Sequence, residues 1–337
     1  MMWKDDLKGN ALDWLLEENE PTVRYLALRD LLDLPANDSQ LTQAKKQAHT
    51  EGPIALVLSK MQPLGFWEKE GPGYFPKYTS TVWSLSLLAQ LGADIEMDER
   101  IHIAVEYFLG QALTPLGQIS ASGAPSGTAD CLQGNMCYAL QALGYRAELL
   151  DRAYEWMARS VTGEGVAPLK DKLSELRYYA GKCGPIFACG SNDKQPCAWG
   201  AAKVMLAFGQ LPKAKRTPLI ERAITQGIDF LLSVNPATAE WPHPYYPKPS
   251  GNWWKFGFPV FYITDLLQVV EAMGLLGHGQ DPRLKQTVQL VRDKQDDHGR
   301  WVLDLDYSGK TWGNYGEKKQ PNKWVTLRAL RALKSVG

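Results

Sequence analysis

The sequence predicts an all-α protein, an α/α toroid of about five to six helix pairs with a HEAT-like helical start. Apolar residues recur at helical spacing through most of the chain, and strand-like alternation is brief wherever it occurs, as in WVLDLDY at 301–307. A helix at 284–301 stops at a turn spelled Gln-x-x-x-Gly-x-Trp (Gln295, Gly299, Trp301), and looser copies of this unit recur, which marks a repeat architecture. Within each copy, one helix is amphipathic and the next is almost wholly apolar. The amphipathic kind must face solvent and the apolar kind must be covered on nearly all sides. An inner ring inside an outer ring satisfies both.

In chain order, EPTVRYLALRDLL (20–32) places Val23, Leu26, Ala27 and Leu31 at helical spacing, with Pro21 in the first turn where it is tolerated. It reads as the start of a HEAT-type repeat. Residues 1–50 are expected to pack on the toroid, and 1–337 to form a single domain. PIALVLSKMQPLGFW (53–67) runs into Gln62-x-x-Gly65-x-Trp67, one residue shorter than the Gln295 turn. YTSTVWSLSLLAQLG (78–92) ends on Gly92, a fitting helix C-cap. Helices follow at 101–119, 128–144, 150–166, 196–209, 221–241, 256–274 and 284–301, and NKWVTLRALRALKSV (322–336) is the last. Glu106, Arg152, Arg222 and Arg292 mark the outer members. The turn Gln is expected to satisfy orphan groups at a helix end, and the turn Trp to cover the turn between neighbouring pairs.

Composition narrows the function. The 337 residues are 45% apolar, with 37 basic and 37 acidic side chains. That balance argues against a nucleic-acid or anionic-membrane partner. The start, MMWKDDLKGN, lacks the apolar run of a signal peptide. No apolar stretch is long enough to span a bilayer; the best, 258–277, is interrupted by Asp265 and Glu271. Five cysteines between Cys131 and Cys197 are not a disulfide framework, and a reducing cytoplasm is the expected location. Twelve Trp suit both turn packing and a pocket wall.

With LVRDKQDDHGRW and VLSKMQPLGFW as turns, and TVWSLSLLAQLG and KWVTLRALRALKSVG as inner helices, the chain resembles the squalene-cyclase and protein-prenyltransferase superfamily over residues 53–337. It also looks like a bacterial group of single-toroid, terpene-cyclase-like proteins, through EPTVRYLALRDLL, GPGYFPKYTSTVW, CGPIFACGSNDKQPCAWGA and KWVTLRALRAL. The resemblance implies a toroid with an apolar isoprenoid-type substrate in a central cavity. It does not bring the chemistry. Class II terpene cyclases protonate an alkene with an Asp of a D-x-D-D motif at an inner-helix start. Here that position reads Tyr78-Thr79-Ser80-Thr81, without a carboxylate. The zinc-binding D-x-C and later His of the prenyltransferases are not present either.

Inner helices converge on a cavity, and their N-terminal ends line one mouth, where functional residues are expected. Asp130 sits in a first helical turn after Gly127-Thr128-Ala129. It is either a capping carboxylate stabilised by the helix dipole or, desolvated, an acid. Asp193 has the same two readings. Tyr78, Trp83, Trp199, Trp253, Trp254, Tyr262 and Trp324, with Cys131 and Cys197, are the candidate wall. It would stabilise a carbocation by cation–π contact, stack sugar rings, or be core. Cys131, Cys183, Cys189 and Cys197 with His243 or His298 form a possible zinc set of unfamiliar spacing, against small core residues; no cofactor is expected. WPHPYYPKP (241–249) reads as a stiff rim or lid presenting Tyr245 and Tyr246. Arg177-Tyr178-Tyr179 with Lys182 offers a phosphate contact without a Walker pattern. Asp296-Asp297 reads as solvated turn, and Asp304 and Asp306 as lying away from the cavity.

Three functions follow as expectations. The first is an enzyme cyclising an apolar isoprenoid-type substrate, with Asp130 or Asp193 as acid. The second is a non-catalytic lipid- or protein-binding toroid. The third is a carbohydrate-active α/α barrel, which needs paired carboxylates that the inner helices do not supply in sequence. The oligomeric state is left open.

Overall fold

The computed structural model describes residues 4, 7–168, 170–174, 176, 181–243 and 248–337. The described residues form α1 (Ala11–Leu15), α2 (Pro21–Asp30), α3 (Ser39–Thr50), α4 (Pro53–Ser59), α5 (Thr81–Gln90), α6 (Glu99–Ala112), α7 (Asp130–Ala142), α8 (Glu148–Thr162), α9 (Ala198–Gln210), α10 (Pro218–Leu231), α11 (Leu266–Leu275), α12 (Lys285–Asp293) and α13 (Lys323–Val336). Isolated β-bridges tie loops together, and among the described residues no strand forms.

The helices close into an α/α toroid. α5 packs on α7, α7 on α9, α9 on α11, α11 on α13, and α13 on α2. The ring closes where Gly92, just past α5, lies against Leu26 and Tyr25 of α2. Outside it, α3 packs on α2, α6 on α5, α8 on α7, α10 on α9, and α12 on both α11 and α13. Sequence dictates which ring each helix joins. Every residue of α5 except Gln90 is buried, whereas α12 buries only Thr287, Val288 and Val291. Side-chain caps set several starts: Asp98 for α6, Thr217 for α10, Asp265 for α11 and Asn322 for α13. Each satisfies an N–H that the first helical turn leaves orphaned.

The turns that follow α4, α6 and α12 share one geometry. In residues 62–67, Gln62 N–H donates to Phe66 O at 2.8 Å, and Gly65 N–H to Gln62 O at 2.9 Å. The same two bonds join Asp296 to Arg300 and Gly299 to Asp296, and again Thr114 to Gln118 and Gly117 to Thr114. The glycine has positive φ in all three, at 96°, 72° and 90°. In a fourth copy Ala239 takes that left-handed place, with φ 52°. Its N–H bonds Pro236 O, and Pro236 has no N–H for the closing bond. The residue two places after the glycine is Trp67, Trp301, Ile119 or Trp241. The indole Nε1 of each tryptophan donates to the carbonyl ten residues earlier: Trp67 to Val57, Trp301 to Val291 and Trp241 to Leu231. These carbonyls lie near the C-terminal ends of outer helices, where intrahelical partners run out. The Trp therefore caps the helix as well as covering the turn.

The turns also fix a register that the spelling obscures. Gln62 occupies the place of Asp296, so the two turns have equal length and Gln62 is not the counterpart of Gln295. Gln295 does satisfy orphan groups: its Nε2 donates to Arg292 O at 2.9 Å, and its Oε1 accepts from Lys8 N–H at 3.1 Å. The side chain of Gln62 is exposed.

The centre of the toroid is crossed by chain rather than empty. Gln90 of α5 exchanges two hydrogen bonds with Val260, at 2.7 and 2.8 Å. Asn135 of α7 and Lys203 of α9 both donate to Phe261 O, at 3.1 and 2.8 Å. Arg328 of α13 donates to Gly257 O at 2.6 Å. The segment before α11 is thus held by four inner helices. Irregular backbone in a core must have its polar groups paired, and these lone polar side chains on apolar helices do so. Phe256, Phe258 and Phe261 of the segment are buried. Asp265 and Glu271, which interrupt the apolar run at 258–277, pair with Arg328 and Arg331.

Candidate functional site

With its middle crossed, the ring leaves a cavity at each end of the inner helices among the described residues. At the N-terminal ends, a cavity of about 450 Å³ is walled by Tyr74, Phe75, Trp199, Trp241, Trp253 and Tyr262. Its polar lining includes Lys77, Lys182, His243, Asn192, Cys131, Cys189 and Cys197, and among the described residues no carboxylate. Neighbouring rings hold one another in place: Trp241 lies 4.6 Å from Trp253, and Trp199 meets Tyr262 edge-on at 5.6 Å. The Lys77 ammonium lies 5.1 Å from the Tyr262 ring centre and 5.9 Å from that of Tyr74, a cation–π arrangement. Burial pushes the Tyr262 phenol up to about 12, so that ring is uncharged at neutral pH.

The expected wall residues do not all share one chamber. Trp199, Trp253, Tyr262, Cys131 and Cys197 line this cavity. Tyr78 and Trp83 pack instead on Phe261 of the crossing segment, each at 5.6 Å. Trp324 stacks on Phe258 at 4.4 Å, and Trp254 donates to Ala237 O at 3.0 Å. The physical reason is the same for Tyr78, Trp83 and Trp324: the crossing segment fills the space that a hollow ring would leave for them, whereas Trp254 is held by the turn after α10. Tyr74, Phe75, Trp241 and Cys189 complete the lining. The first three sit in loops, where helical periodicity gives no signal, although Trp241 is legible as a turn residue.

Asp130 is buried at the start of α7, but it is not among the residues lining either cavity. Its Oδ1 accepts from Ser160 Oγ of α8 at 3.2 Å, and among the described residues its Oδ2 has no hydrogen-bond partner. Burial holds its carboxyl well above the usual carboxylate range, which favours the protonated form. Asp193 is exposed, in a left-handed turn conformation with φ 52°, and it also lines neither cavity. Asp296 accepts from the backbone N–H groups of His298 and Arg300, as a turn residue does. Tyr245, Tyr246, Arg177, Tyr178 and Tyr179 lie outside the described residues.

Of the cysteines, Cys183 is buried against Trp156, apart from the cavity. His298 sits on the Gln295 turn, with its backbone against Gly9. Among the described residues, no three His, Cys, Asp or Glu side chains are arranged to hold a metal ion. Burial pushes Cys131 up to about 11. The hydrogen bond with Cys189 raises Cys197 further. Cys189 goes the other way: the Cys197 thiol and the N–H groups of Ser191 and Asn192 outweigh burial and bring it down to about 6.

The cavity at the C-terminal ends, about 570 Å³, is lined by Arg29, Arg146, Lys203, Arg328, Arg331 and Lys334 against Asp30, Asp33 and Glu271. Arg331 bridges Asp30 (3.5 Å) and Glu271 (3.3 Å). This carboxylate pair is not legible in sequence, because α2 and α11 meet only through ring closure. Burial alone would raise Asp30, but Arg331 and Arg29 outweigh it and hold the carboxyl below its ordinary range. A carboxylate clamped by arginines can serve only as the ionised member of the pair that sugar hydrolysis requires, not as its acid. Burial lowers Lys203 to about 8.

No family model matches the chain, and no curated protein matches it. Among solved structures, the chain is similar to a variant of the type II terpene cyclase MstE from Scytonema in complex with its substrate geranylgeranyl dihydroxybenzoate. That match has 13% identity and a TM-score of 0.33, covering 87% of this chain and 96% of that one. It is similar to the apo form of the same cyclase at 14% identity and TM-score 0.32, with the same coverage. It is also similar to a protein from Actinoplanes at 13% identity and TM-score 0.35, over 87% of this chain and 99% of that one.

Proposed function

We propose that the protein binds an apolar, isoprenoid-type small molecule in the cavity at the N-terminal ends of its inner helices. One observation carries the reading: six aromatic side chains enclose about 450 Å³, with no carboxylate among the described residues of the lining. That volume falls within the roughly 300–1,000 Å³ typical of small-molecule pockets. A carbohydrate site would instead present carboxylates and dense hydrogen-bonding groups. Free thiols in the wall fit a reducing compartment such as the cytoplasm.

Cyclisation started by Asp130 is a narrower form of this reading. Burial and the unpartnered Oδ2 support Asp130 as a proton donor, and the neighbouring Cys131 lies on the wall. Against it, the carboxyl is turned to Ser160. Binding is tested by titrating farnesol against the intrinsic tryptophan fluorescence. Saturable quenching is expected in the wild type, with affinity weakened about tenfold, or ~1.4 kcal/mol, in Trp199→Ala. Absence of saturable quenching, or equal affinity in Trp199→Ala, rejects the site.

A further inference from the structure

Three thiols face the aromatic cavity: Cys131, Cys189 and Cys197. Local backbone geometry brings two of them together. Cys189 opens a tight turn in which its carbonyl accepts from the N–H groups of Asn192 and Lys194, both at 2.8 Å. Its own N–H donates to Gln195 O at 3.2 Å, and Ala188 pairs with Pro196 in an antiparallel bridge. The chain therefore doubles back and sets Cys197 beside Cys189. Cys189 and Cys197 both face the cavity from the two arms of this turn, and the Cys197 thiol with the turn N–H groups of Ser191 and Asn192 is what lowers the Cys189 thiol. Nothing in the reading of the cavity as an apolar pocket requires this arrangement. A thiol at the start of a tight turn, beside a second thiol and the turn's N–H groups, is placed to carry negative charge.

We infer that Cys189 is a nucleophile that adds to an apolar α,β-unsaturated carbonyl compound held against the aromatic wall, with the Cys197 thiol as proton donor. This rests on the reading of the cavity as an apolar-ligand site. Three features select the substrate class. A thiolate is a soft nucleophile, suited to conjugated carbon. Among the described residues, the lining has no carboxylate to activate a water or a hydroxyl. The Lys77 ammonium stands at the wall over Tyr262 and Tyr74, where a substrate carbonyl oxygen can meet a donor.

The step balances. The Cys189 thiolate forms an S–C bond to the β-carbon, and the carbon–carbon π pair moves to give an enolate. The Cys197 S–H delivers a proton to the α-carbon and is reprotonated from solvent. The net result is addition of S–H across the double bond, with no change of oxidation state. The low proton affinity of Cys189 means that thiolate is present at neutral pH, while Cys131, pushed up to about 11, stays a thiol.

The test is limited alkylation of the purified full chain with N-benzylmaleimide, followed by peptide mass spectrometry across a pH series. Cys189 is expected to carry the first adduct, with a rate that rises through a midpoint near 6. In Cys197→Ala that midpoint is expected to move up towards the ordinary thiol value of about 8.5. First labelling at another cysteine, a wild-type midpoint at the ordinary value, or a Cys189–Cys197 disulfide in protein isolated without oxidant overturns the inference. A parallel comparison with the polar N-(2-hydroxyethyl)maleimide, each rate normalised to glutathione, separates the two readings. Fast Cys189 labelling with no preference for the benzyl reagent keeps the nucleophile and removes the apolar site. Saturable farnesol binding with slow Cys189 labelling keeps the site and removes the nucleophile.

Discussion

The indole Nε1 of Trp301 donates to the carbonyl of Val291 at 2.8 Å, and both residues are fully buried. Trp67 does the same for Val57 at the same distance. The backbone N–H of each tryptophan donates to a threonine hydroxyl at an inner helix, Thr326 or Thr81. One residue thus ties the end of an outer helix to an inner helix. Replacing Trp301 with Phe removes the donor and leaves the Val291 carbonyl buried without its partner. A buried group left unsatisfied costs about 1–3 kcal/mol, and the smaller ring adds a packing loss. Urea unfolding should show a lower midpoint with unchanged slope, and Trp67→Phe should behave alike. An unchanged midpoint in both would mean that the indole only fills space.

The register of the turns separates two glutamines that look equivalent in sequence. Gln295 bridges Arg292 O and Lys8 N–H, whereas Gln62 is exposed. Gln295→Ala should cost about 1–2 kcal/mol for two lost, partly buried hydrogen bonds. Gln62→Ala should fall within about 0.5 kcal/mol of wild type, as surface substitutions do. Equal losses in denaturant unfolding would contradict the assignment of Gln62 to the place of Asp296.

These turns show why the ring is legible in sequence and its contents are not. Helical spacing in TVWSLSLLAQLG and the charges of 284–301 assign α5 and α12 to inner and outer rings from local pattern alone. Gln90, Asn135, Lys203 and Arg328 look like stray polar residues in apolar helices. Their partners, Val260, Phe261 and Gly257, are distant in sequence, and the bonds are to backbone atoms, which carry no side-chain signature. In sequence the crossing segment therefore reads as the start of a helix, and Trp83 and Trp324 read as facing an open chamber. Cys131, Cys197 and Trp199 lie within reach of sequence reasoning because they flank inner-helix starts, whereas Trp253 and Tyr262 precede α11, which begins only at Leu266.

Lys203 gives the crossing segment a pH signature. Its amine is lowered by burial to about 8 in the folded protein, against about 10.4 for an ordinary lysine. Between those values the unfolded chain binds the extra proton, so stability contributed at this site rises with pH across that window. Below about 8 both states are protonated and the penalty for burying the ammonium is constant. Lys203→Met should abolish the rise in stability from pH 8 to 10, which amounts to about 1.4 kcal/mol for each pH step of one between the folded and unfolded values. It should also loosen residues 256–262, because Phe261 O keeps only Asn135 as donor. Unfolding free energies of both proteins at several pH values, with amide hydrogen exchange in that segment, check both outcomes. Parallel pH curves would show that Lys203 does not titrate in this window.

Asp130 carries the opposite sign. Its folded carboxyl is raised well above 3.8 by burial. Below the unfolded value both states hold the proton. As pH rises past it, the unfolded chain releases the proton first, and stability falls by about 1.4 kcal/mol per pH unit until the folded group also ionises. Asparagine is nearly the same shape and can still accept from Ser160, but it cannot ionise. Asp130→Asn should therefore gain on wild type steadily as pH increases from about 4, and the gain should level off at the folded carboxyl's own titration. The same variant speaks to function. If Asp130 only fills its place between α7 and α8, farnesol binding and any turnover survive the substitution. If it donates the first proton of a cyclisation, binding survives and turnover is lost. A variant that loses stability at every pH would show instead that the carboxyl is ionised in the fold and paired in a way the Ser160 contact does not reveal.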